Sequence, residues 1–253
     1  MSDDGDQLRK PDSDSIALGD EGQALEVLAQ SIQGLWEVVN NLTRLRATRR
    51  LEFRVTIFGS ARVPRDHWVY GAVRDLAKEL AAMGCGIVTG GGPGLMQAAN
   101  EGVSLAGPEA SKRSTGIRVD LPFEQDVNPF VAEVFQHRTF FSRLHHFVLL
   151  SEAFVVVPGG IGTVLELAMI WQLLQVRKLH RTPLILIGRM WADFIEWGRH
   201  HLLRPDLALA SPEDLSIPHC VNTAEEAVSL IRPRYEEWLR GSAGSVRDSA
   251  TRL

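Results

Sequence analysis

The chain has 253 residues, 45% of them hydrophobic and 23% charged, with a formal net charge of -4. That composition is that of a globular protein with a buried core, and it argues against a disordered, collagen-like or disulfide-built chain. With 27 basic against 31 acidic residues there is no broad basic surface for a nucleic-acid polymer, and the two cysteines, outside any CxxC pair, suggest neither a disulfide framework nor a zinc or redox motif.

No stretch reaches about eighteen uninterrupted apolar residues, so no membrane span is expected. The opening MSDDGDQ lacks a basic segment followed by an apolar run, and the cytoplasm is the expected location. Residues 1–20 carry Asp3, Asp4, Asp6, Asp12, Asp14 and Asp20 with few large apolar side chains, the pattern of a disordered acidic tail. Between residues 21 and 50, Leu25, Leu28, Ile32, Leu35, Val39 and Leu42 recur at helical steps, which predicts an amphipathic helix ending near Arg46. Periodicity leaves open whether it caps its own domain or packs on a second subunit.

From residue 51 to about 240, β-rich runs alternate with helical stretches. Strands are expected at Arg54 to Phe58, Gly86 to Thr89, Thr115 to Leu121, Ala153 to Val157, Pro183 to Ile187 and, more weakly, Ile217 to Val221. Helices are expected at Tyr70 to Met83, Leu95 to Leu105, Thr139 to Leu150, Thr163 to Val176, Trp191 to Leu203 and Ala224 to Leu239. This order gives an α/β fold, a Rossmann-like doubly wound parallel sheet with an extra N-terminal helix. The closing GSAGSVRDSATRL, residues 241–253, reads as a flexible tail.

Three strands run into glycine-rich turns that open a helix. These are Gly59-Ser60-Ala61-Arg62, Gly90-Gly91-Gly92-Pro93-Gly94 and Pro158-Gly159-Gly160-Ile161-Gly162-Thr163. Glycine lets backbone N–H groups approach a phosphate with no Cβ in the way, and helix N-termini favour an anion. Any one such turn is as readily a tight βα connection. Three at the carboxyl ends of parallel strands point to an anion site. No GxGxxG follows the first strand and no acidic residue closes the second, which disfavours a nicotinamide dinucleotide; no Gly-Lys-Ser or Gly-Lys-Thr marks a P-loop.

The segment PGGIGTVLE, Pro158 to Glu166, resembles the PGGxGTxxE signature of the LOG proteins, long labelled lysine decarboxylases. GGGPGLM, Gly90 to Met96, is similar to that family's GGGxxGLM loop, and Trp171-Gln172-Leu173 follows the signature. The similarity runs from about Arg54 to Leu230 and leaves out the first fifty residues.

The resemblance implies a phosphoribohydrolase. Such an enzyme cuts the N-glycosidic bond of a nucleoside 5'-monophosphate, AMP or an N6-substituted AMP as in cytokinin activation, giving free base and ribose 5-phosphate. It implies a homodimer with the Arg143 helix near the two-fold axis and its sites at or close to the interface, and no cofactor is expected. The implied catalytic pair is Arg143 and Glu166. The implied substrate-binding set is Gly59, Ser60, Arg62, Gly91, Gly92, Gly94, Met96, Arg138, Pro158, Gly159, Gly160, Gly162 and Thr163. This chain departs from the family pattern where the usual arginine-lysine pair reads Arg143-Leu144, and where the first of two glutamates found in plant members is Leu165.

A carboxylate near the anomeric carbon stabilises an oxocarbenium-like state or activates water, and a guanidinium offers a fixed fork of donors to a phosphate or departing base. The plainer alternatives are a helix-start glutamate at Glu166 and surface ion-pair roles for Arg143 and Arg138. His145 and His146 share a helix with Phe140, Phe141, Phe147 and Leu150, where packing explains them, and Met96 and Trp171 fall at core spacing. The adjacent pairs His145-His146 and His200-His201 diverge on a helix, so no metal is expected. Pyridoxal phosphate chemistry would need a lysine at the site, and Lys10, Lys78, Lys112 and Lys178 all fall away from the glycine turns. A nucleotide or molybdenum-cofactor carrier of the same fold is the alternative function.

Overall fold

The structure, a computed structural model, describes Gly22, residues 25–32, Gly34, residues 52–120 and residues 126–250, with side chains as far as residue 241. The chain divides into two units, Met1–Thr48 and Arg49–Leu253. In the first, residues 25–32 are helical, on the stretch whose apolar spacing predicts it. The acidic segment 1–20 and the later part of the expected helix, with Leu35, Val39 and Leu42, lie outside the described residues.

The second unit runs β1 (Arg54–Phe58), α1 (Trp68–Met83), β2 (Gly86–Thr89), α2 (Leu95–Leu105), α3 (Pro108–Ser111), β3 (Ser114–Val119), β4 (Glu133–His137), α4 (Phe140–Leu150), β5 (Ala153–Val156) and α5 (Ile161–Gln175). It continues with β6 (Leu184–Ile187), α6 (Arg189–Leu202), a small antiparallel pair β7 (Leu203–Arg204) and β8 (Leu207–Ala208), then β9 (His219–Val221) and α7 (Ala224–Ala250). The main sheet has the order β4-β3-β2-β1-β5-β6-β9, and every neighbouring pair is parallel. The fold is the expected Rossmann-like α/β type.

Runs such as VTIF in β1, apolar but for Thr56, and AFVV in β5 suit strands covered on both faces, and both are buried. One face packs Val73, Leu76 and Leu80 of α1, Ala98 and Val103 of α2, and Ile231 of α7 against Val55, Ile57 and Ile87. The other packs Phe147 of α4, Ile170 of α5 and Trp191 of α6 against Phe58, Phe154 and Leu186. Local signals set the helix ends. Thr139 caps α4 by accepting the Ser142 N–H at 3.2 Å, and Gly84 ends α1 in the left-handed region at φ 111°.

From β1 the chain winds outward to β4, then crosses back to β5 on the other side of β1. This reversal, between β1 and β5, is where open α/β sheets bind ligands.

Several elements differ from expectation. β4 was not expected, because EVFQH is an edge strand with Val134 44% exposed and so has no apolar run to betray it. The short α3 and the β7–β8 pair are likewise unheralded. The third strand begins at Ser114, and its expected end, Leu121, lies outside the described residues. α7 passes Leu239 and continues to Ala250 through most of the stretch read as a tail. Once a helix is nucleated, each added residue costs little, and Ser and Ala allow it.

Candidate active site

The strands that end in glycine turns, β2, β1 and β5, are neighbours in that order, so their three turns leave the sheet along one rim. The backbone of Ser60 joins them. Its N–H donates to the Pro158 carbonyl at 3.1 Å, and its own carbonyl accepts the Leu95 N–H at 2.8 Å. Gly94, the residue before α2, has φ 65°, and a Cβ there would run into the Ser60 carbonyl and the Ala61 backbone. Only glycine lets the second turn come this close to the first.

The other expected residues take distinct places. Gly59 is packed against Val157 and Leu95, and Gly159 lies against the side chain of the buried Thr163. Gly160 and Gly162, at the start of α5, are exposed with open space beside them. The half-buried Met96 sets its sulfur beside Gly90 and its methyl beside Gly92. The Ser60 hydroxyl accepts the Arg62 N–H at 3.1 Å, while the Arg62 side chain is exposed. Arg138 is exposed just beyond β4, the outermost strand, and so stands on the rim three strands from β1.

Arg143, from α4, and Glu166, from α5, meet beside this rim. Arg143 Nη1 donates to Glu166 Oε1 at 3.0 Å, and the two side chains are only 13% and 10% exposed. Arg143 Nε donates to the Ile117 carbonyl at 2.9 Å, and its guanidinium lies 5.1 Å from the centre of the Phe147 ring. Arg143 also reaches the second turn: a Cβ on Gly90 would sit 2.5 Å from Nη2. One guanidinium therefore links the glycine rim to the carboxylate. Burial pushes the Glu166 carboxyl up to about 7, against the opposing pull of the Arg143 charge and hydrogen bond. A carboxyl in that range gives and takes a proton near neutral pH.

The histidines beside the pair are engaged in packing. His146 Nδ1 and His137 Nε2 share a hydrogen bond of 2.9 Å, and the His146 ring meets Phe135 edge-on at 4.5 Å. Burial, and then the neighbouring His137, lower His146 to about 4. Leu144, where the family lysine stands, is 6% exposed and faces the interior. Trp171 packs on the core and donates its indole N–H to the Asp214 carbonyl at 2.7 Å.

Sequence reasoning missed a buried polar group under the second turn. Thr89, Asn100, Ser114 and Asn128 are each 5% exposed or less and bond to one another and to the turn. The available signal was Asn100, a polar residue in the buried stripe of α2 among Ala98, Ala99 and Val103.

Lys78 lies in α1, and Lys112 and Lys178 precede strands at the opposite end of the sheet; Lys10 lies outside the described residues. Among the described residues no cluster of His, Cys, Asp and Glu is arranged to hold a metal ion, and no helix is long and apolar enough to cross a membrane. A hollow of about 570 Å³, lined by Arg199, His219, Cys220 and Leu230 among others, lies beside edge strand β9, away from the glycine rim.

A family model described as "possible lysine decarboxylase" matches residues 96–231, more than half of the chain. The chain belongs to this family. It is the LOG-type family that the PGGIGTVLE signature resembles, and the matched residues include the third turn, Arg143 and Glu166. The pyrimidine/purine nucleotide 5'-monophosphate nucleosidase of Escherichia coli strain K12 is 29% identical over 140 residues, covering 53% of this chain and 30% of that protein. The chain thus spans less than a third of that relative's length. Two solved structures share the fold. The molybdenum cofactor binding protein of Rippkaea orientalis superposes with a TM-score of 0.54 at 17% identity, covering 73% of this chain and 98% of that one. The molybdenum cofactor carrier protein of Chlamydomonas reinhardtii does so with 0.51 at 19%, covering 73% and 99%.

Proposed function

We propose that this LOG-family protein is a phosphoribohydrolase that cleaves the N-glycosidic bond of a nucleoside 5'-monophosphate, AMP or an N6-substituted AMP, to free base and ribose 5-phosphate. The observation that carries the reading is the buried Arg143–Glu166 ion pair set against a rim of three glycine turns. Resemblance to a nucleotide 5'-monophosphate nucleosidase supports the same chemistry.

In this reading the turns that carry Gly59, Ser60, Gly91, Gly92, Gly94, Gly159, Gly160, Gly162 and Thr163 seat the 5'-phosphate on those backbone N–H groups that bond nothing within the turns, such as that of Gly92, and on a hydroxyl at a helix start. Pro158 and Met96 shape the walls, and Arg62 and Arg138 supply positive charge at the rim. The C1'–N bond breaks with its electron pair leaving on the base, and the sugar becomes oxocarbenium-like. Glu166 stabilises that charge and takes a proton from the attacking water, whose oxygen bonds to C1'; the proton then passes to the departed base. Arg143 holds the carboxylate in place and favours its ionised form against the larger effect of burial.

Phe141 on α4 and Ile161 and Leu165 on α5 are 82%, 86% and 46% accessible, and apolar side chains left exposed on these two helices support a homodimer with its two sites near the interface. We place the enzyme in the cytoplasm.

The test is a panel of nucleoside monophosphates assayed chromatographically for free base, with Glu166→Gln alongside. Base release by the wild type and its loss in a folded variant are expected. Full activity in Glu166→Gln would end the mechanistic claim. A bound pterin after purification, with no base released from any nucleotide, would favour a cofactor carrier instead.

A further inference from the structure

Asn128 lies outside the glycine turns and the family signature and is 5% exposed. Its backbone N–H donates to the Gly91 carbonyl at 2.9 Å, and its side-chain Nδ2 donates to the Gly92 carbonyl and to Asn100 Oδ1, both at 3.0 Å. Its Oδ1 accepts the Phe130 N–H at 3.2 Å. Both side-chain donors and the acceptor are therefore in use.

The residues beneath fix the other side of the turn. Asn100 Oδ1 also accepts from Thr89 Oγ1 at 2.8 Å, and that hydroxyl accepts the Gly91 N–H at 2.9 Å. Asn100 Nδ2 donates to Ser114 Oγ at 2.9 Å. A buried network with its members satisfied in this way specifies one geometry.

What that geometry does follows from the peptide plane. In a trans peptide the C=O and N–H of one unit point in opposite directions. The Asn128 side chain, tied to the Gly92 carbonyl and Asn100, anchors its own backbone N–H under the Gly91 carbonyl; holding that carbonyl there turns the Gly92 N–H to the far side, where it has no acceptor among the described residues. Gly91 sits at φ 71°, in a region glycine enters and leaves freely. Without the clamp this peptide can turn over and present its carbonyl to an anion.

We propose that Asn128 is a positioning residue of the site: it holds the Gly91 and Gly92 carbonyls so that the Gly92 N–H faces the 5'-phosphate. This rests on the reading of the glycine rim as a phosphate seat, but not on any hydrolysis.

The experiment uses the full chain. Asn128→Asp replaces the side-chain NH₂ by a carboxylate oxygen facing two acceptors, and Asn128→Ala removes the bonds to the Gly92 carbonyl and Asn100 that anchor the residue, and with it its backbone N–H, beneath the turn. In both, affinity for AMP and ribose 5-phosphate measured by calorimetry should fall about tenfold or more, the effect of one lost hydrogen bond to a charged group. The preference for AMP over adenosine should fall with it, and KM for AMP should rise more than kcat falls. Unchanged phosphate affinity, or an equal loss for adenosine, would overturn the proposal.

A measurement on the wild type covers the case in which the variants do not fold. In protein labelled with ¹⁵N-glycine, the Gly92 amide resonance should move on titration with ribose 5-phosphate, and a stationary resonance overturns the proposal. Should that resonance respond while no nucleotide releases its base, the hydrolase reading falls and the positioning role stands.

Discussion

Replacing Glu166 by glutamine removes one titratable group from the interior, and the pH dependence of stability should reveal it. An ordinary glutamate loses its proton near 4.5, whereas burial holds this one up to about 7. Between those values the folded protein keeps a proton that the unfolded chain has released. Stability therefore falls with rising pH, by about 1.4 kcal/mol per pH unit. Across the window the loss is about 3 kcal/mol, a ceiling because relaxation and water around the ionised pair reduce it. Below the window both states are protonated and the group contributes nothing; above it both are ionised and the loss is complete. The assay is urea unfolding of wild type and Glu166→Gln at one protein concentration, at about pH 5, 6, 7 and 8. Other titrating groups, such as His146 with its proton affinity lowered by burial, act in both proteins and cancel. The wild-type stability should drop relative to the variant through this range. Parallel curves would refute the argument that a buried carboxyl is held protonated there.

Arg143→Ala removes the 3.0 Å partner of Glu166, so the carboxyl loses its main counterweight to burial and its proton affinity rises further. Base release should fall about a hundredfold or more, and the rising limb of kcat/KM against pH should move to higher pH; an unmoved limb would show that the pair is not coupled in catalysis. Gly90→Ala places a Cβ 2.5 Å from Arg143 Nη2 and 2.6 Å from Met96 Sδ. Both are ends of flexible side chains, so thermal melting should show a loss of about 1–2 kcal/mol while activity falls about tenfold or more as the guanidinium leaves Glu166. Ile161→Asp with Leu165→Asp charges an exposed face without touching the core, and light scattering should then report a single chain of 28.0 kDa where the wild type gives twice that mass. A wild type already at the smaller mass would remove the dimer.

The parts of the site written as backbone demands are the ones the sequence makes legible. Gly94 must be glycine because the Ser60 carbonyl lies where a Cβ would go, and that demand survives as a letter in the sequence. Arg143 and Glu166 were legible through the family signature, since no local periodicity distinguishes a catalytic ion pair from a surface one. Strand β4 escaped because an edge strand needs only one covered side, and EVFQH carries too few apolar residues to alternate visibly. Thr89, Asn100, Ser114 and Asn128 escaped for a different reason. A buried hydroxyl or amide announces that it needs a partner but not which one, and Asn128 finds Asn100 from 28 positions away only after β2, β3 and α2 have assembled.

Ser60 joins the three turns through its amide and carbonyl, and its side chain has no part in either bond. The brace is therefore indifferent to which side chain residue 60 carries, so long as that residue keeps its N–H. Mutation along the outer loops is thereby free to recut the surrounding wall, while the turns behind it keep their form. Relatives with unlike ligands can diverge from one such scaffold without rebuilding its floor.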